Sequence, residues 1–341
     1  MDVPEFVFEL HACRWAELHW PPDGEEDRPV VVARQLGDRH RRWDTIVLEC
    51  DTAGLEARRR FGSERLDGDV LHVVRHAPEA WSWYRDSLPD PGYPWRYVRE
   101  AIHRAADRDI LDTRKRSGRL QIRRRFPYPE WVERIVAIEH KPDLAASAAD
   151  RLAAQLEYDV ALGLADEVWL ATAQTNDGVP PAYFERMPVE AGILSLAMPP
   201  GEATVLWHPR ALSVEKPGTR ILDRPETNTI DQSAARVEFV PPDEKATIRR
   251  QIAERAYEGG WRDVLSHMRP DCRHCTLSIG TLTHEPRCLA KGRAQRAAEC
   301  HGRCPDFSPE PPGWRTQGWP IEGGPGKAIK RLYARQRARH R

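Results

Sequence analysis

The sequence lacks what a membrane protein or a uniformly basic coat protein needs. No apolar run approaches the ~18–20 residues that cross a bilayer. The first residues, MDVPEFVFEL, carry neither a basic stretch nor a long apolar run. No secretory signal is expected from them, no membrane partner is expected, and a cytoplasmic location follows. Charge of one sign is also missing: Lys plus Arg is 52 and Asp plus Glu is 52, for a formal net charge of zero. That excludes an overall basic surface but leaves room for local basic patches. Lysine is scarce, with 7 of the 52 basic residues, so the positive charge is almost all arginine. Cysteine is scarce as well, 7 in 341 residues, yet five of them fall between 272 and 304. In a reducing compartment so tight a group reads as a metal site before it reads as disulfides.

What is present is enough apolar residue, 40 %, for a real core, and a length of 341 that suggests two domains or one domain with an insertion. Apolar residues at helical spacing (Phe8, Ala12, Trp15, Leu18) predict a helix over Phe6–Trp20, ended by Pro21 and Pro22. Val30–Leu36 and Trp43–Leu48 read as strands, the second apolar on both faces apart from Asp44 and therefore central. Val132–Ile138 resumes this strand character. A helix over Ala145–Leu164, a buried strand at Glu167–Thr172, a short helix at Ala182–Arg186 and a strand at Gly192–Ala197 complete an α/β pattern. A hairpin is expected at Thr204–Val214 and a helix at Asp243–Tyr257.

The stretch 51–130 has a different character. Val70–Val74 reads as a short strand, Pro78–Arg85 as a helix, and Trp95–Arg108 as an amphipathic helix with Val98, Ile102 and Ala105 on one face. The segment TRKRSGRLQIRRRF follows, a hairpin turning at Ser117-Gly118. Helices followed by a basic two-stranded wing are the winged-helix order. Arg114, Lys115, Arg116, Arg119, Arg123, Arg124 and Arg125 give the wing seven basic residues and no acid between 113 and 125. Without local counter-charge, such a hairpin suits DNA phosphates, and Arg96, Arg99, His103 and Arg104 would face the major groove. The alternative is that the wing packs on another part of the chain.

Three residues carry chemistry in the α/β part. Asp44 sits in an apolar strand. Glu139 and Lys141 lie two apart at the end of Arg134–Lys141, so strand parity puts both on one face and His140 on the other. Two carboxylates and a lysine at the ends of neighbouring strands suit a Mg²⁺-dependent phosphodiesterase. The carboxylates are hard oxygen ligands, and the lysine orients water or stabilises charge on phosphorus. A solvated ion pair at a strand end is the plainer alternative for Glu139 and Lys141.

The element order and these residues resemble the PD-(D/E)xK nucleases, with their restriction-endonuclease-like core, if 51–130 is an insertion. Asp44 matches the family's Asp, preceded here by Trp43 and not by Pro. Glu139-His140-Lys141 matches Glu-x-Lys. The resemblance implies that Glu9, or in its place Glu17, is the helical acid. It also implies that Gln155 is the glutamine following the motif in RecB-like and Cas4-like members. Tyr158 stands at Gln-x-x-Tyr spacing where those members have Gln-x-x-x-Tyr. Over nearly its whole length the chain also resembles a haloarchaeal protein family with no established activity. The shared segments are FEL near the start, KPDL (Lys141–Leu144), QLEYDVALGLADEVWLAT (Gln155–Thr172), AERAY (Ala253–Tyr257) and Cys304-Pro305.

The cysteines run Cys272-x2-Cys275-x12-Cys288-x11-Cys300-x3-Cys304. Close thiolate pairs hold Zn²⁺ or a [4Fe–4S] cluster, and spacing does not choose between them. His274, His284 and His301 are alternative ligands, and Cys13 and Cys50 read as buried core thiols. The expected organisation is an α/β restriction-endonuclease-like core (1–50 and 131–240) with an inserted winged-helix-like domain (51–130). A helix plus Cys-rich metal module (241–307) follows, then a linker and basic helix (308–341). The expected function is a metal-dependent nuclease or nuclease-like DNA-processing protein of the PD-(D/E)xK type, a Mg²⁺-dependent DNA endonuclease or exonuclease if it is an enzyme. A non-catalytic winged-helix DNA-binding protein on an inactive nuclease scaffold is the alternative, and a zinc-held adaptor is a third class.

Overall fold

In the computed structural model, the described residues are 5–24, 28–144, 149–174, 178–197, 202–223, 236–261, 274–279, 284–294 and 304–306. The chain opens with α1 (Glu5–His19), which stops before Pro21, and then lays down β1 (Val30–Gly37) and β2 (Arg42–Cys50). Next come α2 (Thr52–Arg58), a 3₁₀ turn (Arg59–Phe61), α3 (Gly68–His76), β3 (Ser82–Trp83), α4 (Tyr84–Ser87) and α5 (Trp95–Asp107). The hairpin β4 (Leu111–Arg116) and β5 (Arg119–Arg124) leads to β6 (Val132–His140), α6 (Ala149–Leu162), β7 (Glu167–Ala173), α7 (Pro181–Arg186) and β8 (Gly192–Leu196). The rest is β9 (Ala203–Trp207), β10 (Gly218–Asp223), β11 (Arg236–Val240), α8 (Pro242–Gly259), β12 (Cys275–Ile279), β13 (His284–Cys288) and β14 (Arg293–Ala294).

A six-stranded sheet in the order β1-β2-β6-β7-β8-β9 is the centre of the molecule. β6, β7 and β8 are parallel, while β1, β2 and β9 run antiparallel to their neighbours. The parallel strands are buried on both faces, which is why Ile135–Ile138 and Val168–Ala171 read as unbroken apolar runs. α1 packs on the face that carries Thr45 and His140. Cys13 shares a 2.9 Å hydrogen bond with Thr45, and Phe8 meets the His140 ring edge-on at 5.6 Å. α6 covers the opposite face. α8, grouped with the Cys-rich segment when read from sequence, packs against β1 and adds Ile252, Ala253, Ala256 and Tyr257 to the main core.

A second apolar cluster lies wholly within residues 61–122 and includes Phe61, Val70, Val74, Val98, Ile102 and Ile122. It is built by α3, α5 and the sheet β3-β5-β4. Val70–Val74 is helix here, not the expected strand. Asp67 accepts a 3.1 Å hydrogen bond from Val70 N and caps α3, and Val70, Leu71, Val73 and Val74 all turn inward. Burial on a helical face overrides the β preference of valine. Pro78–Arg85, expected to be helical, holds the bridge strand β3 and only the start of α4. The expected hairpin at Thr204–Val214 is reduced to β9, because Pro209 follows closely and has no N–H to give a ladder. The β4–β5 hairpin turns at Ser117 (φ 50°) and Gly118 (φ 72°). Two left-handed residues in succession are what a two-residue turn with the native strand twist requires.

The second cluster is tied to the main one at a buried ion pair. Arg58 and Glu254 are 0 % and 1 % exposed, and the guanidinium donates to both carboxylate oxygens at 2.7 and 2.5 Å. Glu254 also accepts from Leu66 N (2.8 Å) and Tyr128 OH (2.9 Å), and Arg58 stacks 4.2 Å over the Tyr257 ring. Tyr128 packs against both clusters. Gly54 lets α2 approach the returning chain, since a Cβ there would lie 2.9 Å from Trp131 Cα. Glu254→Ala should cost about 3–5 kcal/mol in denaturant-induced unfolding, because it strands a buried guanidinium. A loss below about 1 kcal/mol would show that water reaches Arg58.

Candidate functional site

Asp44 and Glu139 come together where β2 and β6 pair. The register sets Thr45 opposite Ile138, so Asp44 stands across from Glu139 and both face away from α1. Asp44 Oδ2 accepts from the backbone N–H of His140 at 2.9 Å. Its Oδ1 accepts from Gln35 Nε2 at 3.2 Å, and the same Gln35 amide donates to Glu9 Oε1 at 2.7 Å. Gln35 adopts a left-handed φ of 53°, which is costly for a residue with a side chain. Through it the Glu9 carboxylate is linked to Asp44, although Arg34 clamps Glu9 with two hydrogen bonds of 2.9 and 2.6 Å. Glu17, the other candidate acid of the first helix, is buried elsewhere and accepts from Trp261 Nε1 at 3.1 Å.

Glu139 is 7 % exposed and held from two sides. Gln155 Nε2 donates to Oε1 at 2.5 Å, and Arg41 donates to Oε2 at 2.9 Å. Arg41 also grips Asp159, one helical turn beyond Gln155, with both carboxylate oxygens within 2.9 Å of the guanidinium. Burial pushes Glu139 up to about 7, the negative charge of Asp44 pushes the same way, and Arg41 opposes both. Burial likewise raises Asp159, against the pull of Arg41. Lys141 continues past the strand end, its N–H donating to Ala171 O at 2.9 Å. Its positive charge acts on Tyr183, whose hydroxyl burial and Asp143 push upward. Glu139 faces α6 while His140 faces Phe8.

The donor chemistry of this pair fits a divalent cation. Asp44 and Glu139 are hard oxygen ligands, and Glu139 is raised by burial first and by the Asp44 charge second. Mg²⁺ commonly takes one or two carboxylates and completes its shell with water and phosphate oxygens. Against this, Arg41 already supplies one cation, and among the described residues no group of three or more His, Cys, Asp or Glu is placed to hold a metal. Sequence reading missed Arg41, Asp159, Gln35 and Arg34. Asp159 carried a signal, an acid four residues after Gln155 on an otherwise apolar face. Arg41 carried none, being one of several basic residues in Arg39–Arg42. Tyr158 has its hydroxyl buried beside the Arg220 guanidinium.

The basic hairpin is less bare than its sequence. Asp112, just outside the acid-free stretch, pairs with Arg123 at 2.6 Å and Arg125 at 2.7 Å. Arg124 lies 3.7 Å from Glu79, and Arg125 also meets Asp109 at 3.2 Å. The expectation of no local counter-charge is corrected for these three, because strand pairing and the preceding loop bring acids from outside 113–125. Arg114 stacks 4.3 Å over Trp81 and Arg119 4.7 Å over Trp83. Arg114, Lys115, Arg116 and Arg119 form no ion pair within 4 Å among the described residues. On α5, Arg104 is paired with Asp67 at 2.7 Å.

Of the clustered cysteines, Cys272 and Cys300 lie outside the described residues, as does His301. The small sheet β12-β13-β14 sets Cys275 directly opposite Cys288 in its antiparallel register. Leu289 N donates to His274 O at 2.7 Å, closing the end of the hairpin beside them. Cys288 and Cys304 are half-buried free thiols, and Cys13 and Cys50 are fully buried ones.

These features define a mixed α/β protein built on a central mixed sheet, with a second apolar cluster inserted between two of its strands. The chain belongs to DUF5787, a family of unknown function whose model matches residues 31–309. No curated protein and no solved structure matches the chain. Among the described residues no helix is long and apolar enough to cross a membrane.

Burial pushes the Cys13 thiol up to about 12 and Cys50 well above its ordinary value. In the native protein both should resist a thiol-alkylating reagent at pH 8 until denaturant is added. Cys288 and Cys304 should react in metal-stripped protein. Their protection in protein as purified, lost on chelation, would report a bound metal; equal labelling before and after chelation would leave none there.

Proposed function

We propose that the chain is a nucleic-acid-processing protein of the PD-(D/E)xK nuclease type, hydrolysing phosphodiester bonds in DNA. The observation that supports this best is the convergence of Asp44 and Glu139 on one face of paired strands, with Lys141 two residues beyond. The sheet's order and direction (antiparallel β1, β2 and β6, then parallel β7) agree with a restriction-endonuclease-like core. Asp44 and Glu139 would hold Mg²⁺, which supplies Lewis-acid polarisation of phosphate and activation of water. Glu9 acts at one remove, positioning Asp44 through Gln35. Gln155 fixes the Glu139 carboxylate, and Lys141 offers a cation to a scissile phosphate. Arg41 favours the second reading, a DNA-binding protein on an inactive scaffold, since it takes the place of a cation at Glu139.

In the same proposal the inserted unit is a winged-helix-like DNA-binding domain and the Cys-rich segment a Zn²⁺ or [4Fe–4S] module. The thiols Cys272, Cys275, Cys288, Cys300 and Cys304 are its candidate ligands. The Cys275–Cys288 register supports the module, because it brings two ligands to one rung of a hairpin. A reducing, cytoplasmic setting suits such thiolates. Elemental analysis distinguishes zinc from iron.

Purified protein with Mg²⁺ or Mn²⁺ should cut DNA, and Lys141→Ala should lower the rate about 10²–10³-fold without changing the unfolding midpoint. Binding without cleavage in the wild type would favour the inactive scaffold. Cleavage surviving in an Asp44→Ala, Glu139→Ala double variant would exclude this site.

DNA binding by the wing should depend on its tip more than on its base. Replacing Arg114, Lys115, Arg116 and Arg119 by Ala should reduce the slope of log K against log salt by about 3–4, at roughly 0.9 per phosphate contact. Replacing Arg123, Arg124 and Arg125 should reduce it less, because their charges already have partners. Equal slopes in all three proteins would place the DNA surface elsewhere.

A further inference from the structure

A cavity of about 630 Å³ lies between the β1–β2 turn, the segment before α3 and the exposed side of α8. That volume is in the range of small-ligand sites. It is separate from the Asp44–Glu139 pair, although the turn is shared: Asp38 lines the cavity and Arg41 leaves on the other side. Asp38 fixes this turn by accepting from the N–H groups of His40 (2.8 Å) and Arg41 (2.7 Å).

Arginines dominate the wall, with Arg39, Arg65, Arg220 and Arg255 against the acids Asp38, Asp67 and Glu244. Each acid is already engaged. Asp38 caps the turn and lies 3.5 Å from Arg220; Asp67 caps α3 and pairs with Arg104 at 2.7 Å; Glu244 lies 3.7 Å from Arg220. The arginines are less well matched. Arg255 donates to two backbone carbonyls, Gly37 O and Gln251 O, and to no carboxylate among the described residues. Arg39 donates to His40 Nε2 at 2.7 Å, and Arg65 has only a 3.6 Å approach to Glu258. Arg220, by contrast, is 1 % exposed and well matched: it pairs with Glu238 at 2.6 Å and lies within 4 Å of Asp38 and Glu244. Burial, and then the like charge of Arg65, hold Arg255 below its ordinary value. A cavity wall on which Arg255 and Arg39 form no ion pair within 4 Å among the described residues, with Arg65 only loosely paired beside them, is built to receive an anion with several acceptor oxygens.

From this wall we infer that the cavity between the β1–β2 turn and α8 is a binding site for the phosphate group of a nucleotide. Arg255, Arg39 and Arg65 are its charge partners. The phosphate could belong to a free nucleotide or to a nucleic-acid strand; the recognition chemistry is the same. The site does not rest on the nuclease reading, and it binds without a metal.

The test is calorimetric titration of the full chain in EDTA with pyrophosphate, AMP and a short oligodeoxythymidylate. Arg255→Gln, which keeps a donor for Gly37 O, and the exposed Arg39→Gln should each weaken binding about tenfold with little change in unfolding midpoint. Arg186→Gln makes the same charge change on α7, away from both the cavity and the hairpin, and should leave pyrophosphate affinity as it was. Sensitivity of AMP and pyrophosphate to Arg255 and Arg39 assigns the site to free nucleotides. Sensitivity of the oligonucleotide alone assigns it to a strand. Failure of all three probes to bind, or equal loss in Arg186→Gln, overturns the inference. Because EDTA abolishes metal-dependent cleavage, absence of nuclease activity has no bearing on the result.

Discussion

Everything at the candidate site depends on one pairing, that of β2 with β6. The chain leaves the sheet at Cys50 and returns at Val132, and these two residues are partners in the ladder. Asp51 N donates to Trp131 O at 3.1 Å, so the entry and exit of the inserted unit are held one strand spacing apart. From there the register carries Asp44 to Glu139. A slip of one residue would send one of the two carboxylates to the α1 face, among Phe8 and Cys13, and no shared site would exist.

Around this pairing the molecule uses buried arginine–carboxylate contacts to fix positions. Arg34 sets Glu9, Arg41 joins Glu139 to Asp159, and Arg58 joins the inserted unit to α8 through Glu254. Buried pairs of this kind add little net stability over a well-packed apolar substitute, because desolvation offsets the attraction. What they supply is geometry, since each guanidinium has several donors and each carboxylate several acceptors in fixed directions. The cost shows at Glu139 and Asp159, both raised from their ordinary values by burial.

The sheet was legible in the sequence because its strands are buried on both faces and read as apolar runs. Asp44 stood out as the exception in one of them, and Glu139 by its parity with Lys141. The hairpin turn was legible because Ser-Gly between alternating residues has few other uses. α3 was misread because its valines follow a local preference that packing overrules. The ion pairs were not legible at all: Arg58 meets Glu254, and Arg41 meets Asp159, across separations in sequence that no local pattern marks. The acids that meet Arg123 and Arg125, Asp109 and Asp112, lay just outside the window in which they were sought, and Glu79, which meets Arg124, lay far from it.

The position of the insertion also bears on the order in which the chain folds. Thr45 and Ile138 cannot pair until the intervening chain has been drawn into a closed loop, and closing a loop of that length carries a large entropic cost if the segment is unstructured. The second apolar cluster lies entirely within residues 61–122, so it has all the contacts it needs to form before β6 arrives. Once formed, it shortens the effective loop to the few residues between its surface and the two strands. Its apolar interior is then a kinetic aid to the main sheet as well as a structure in its own right, turning a distant contact into a near one.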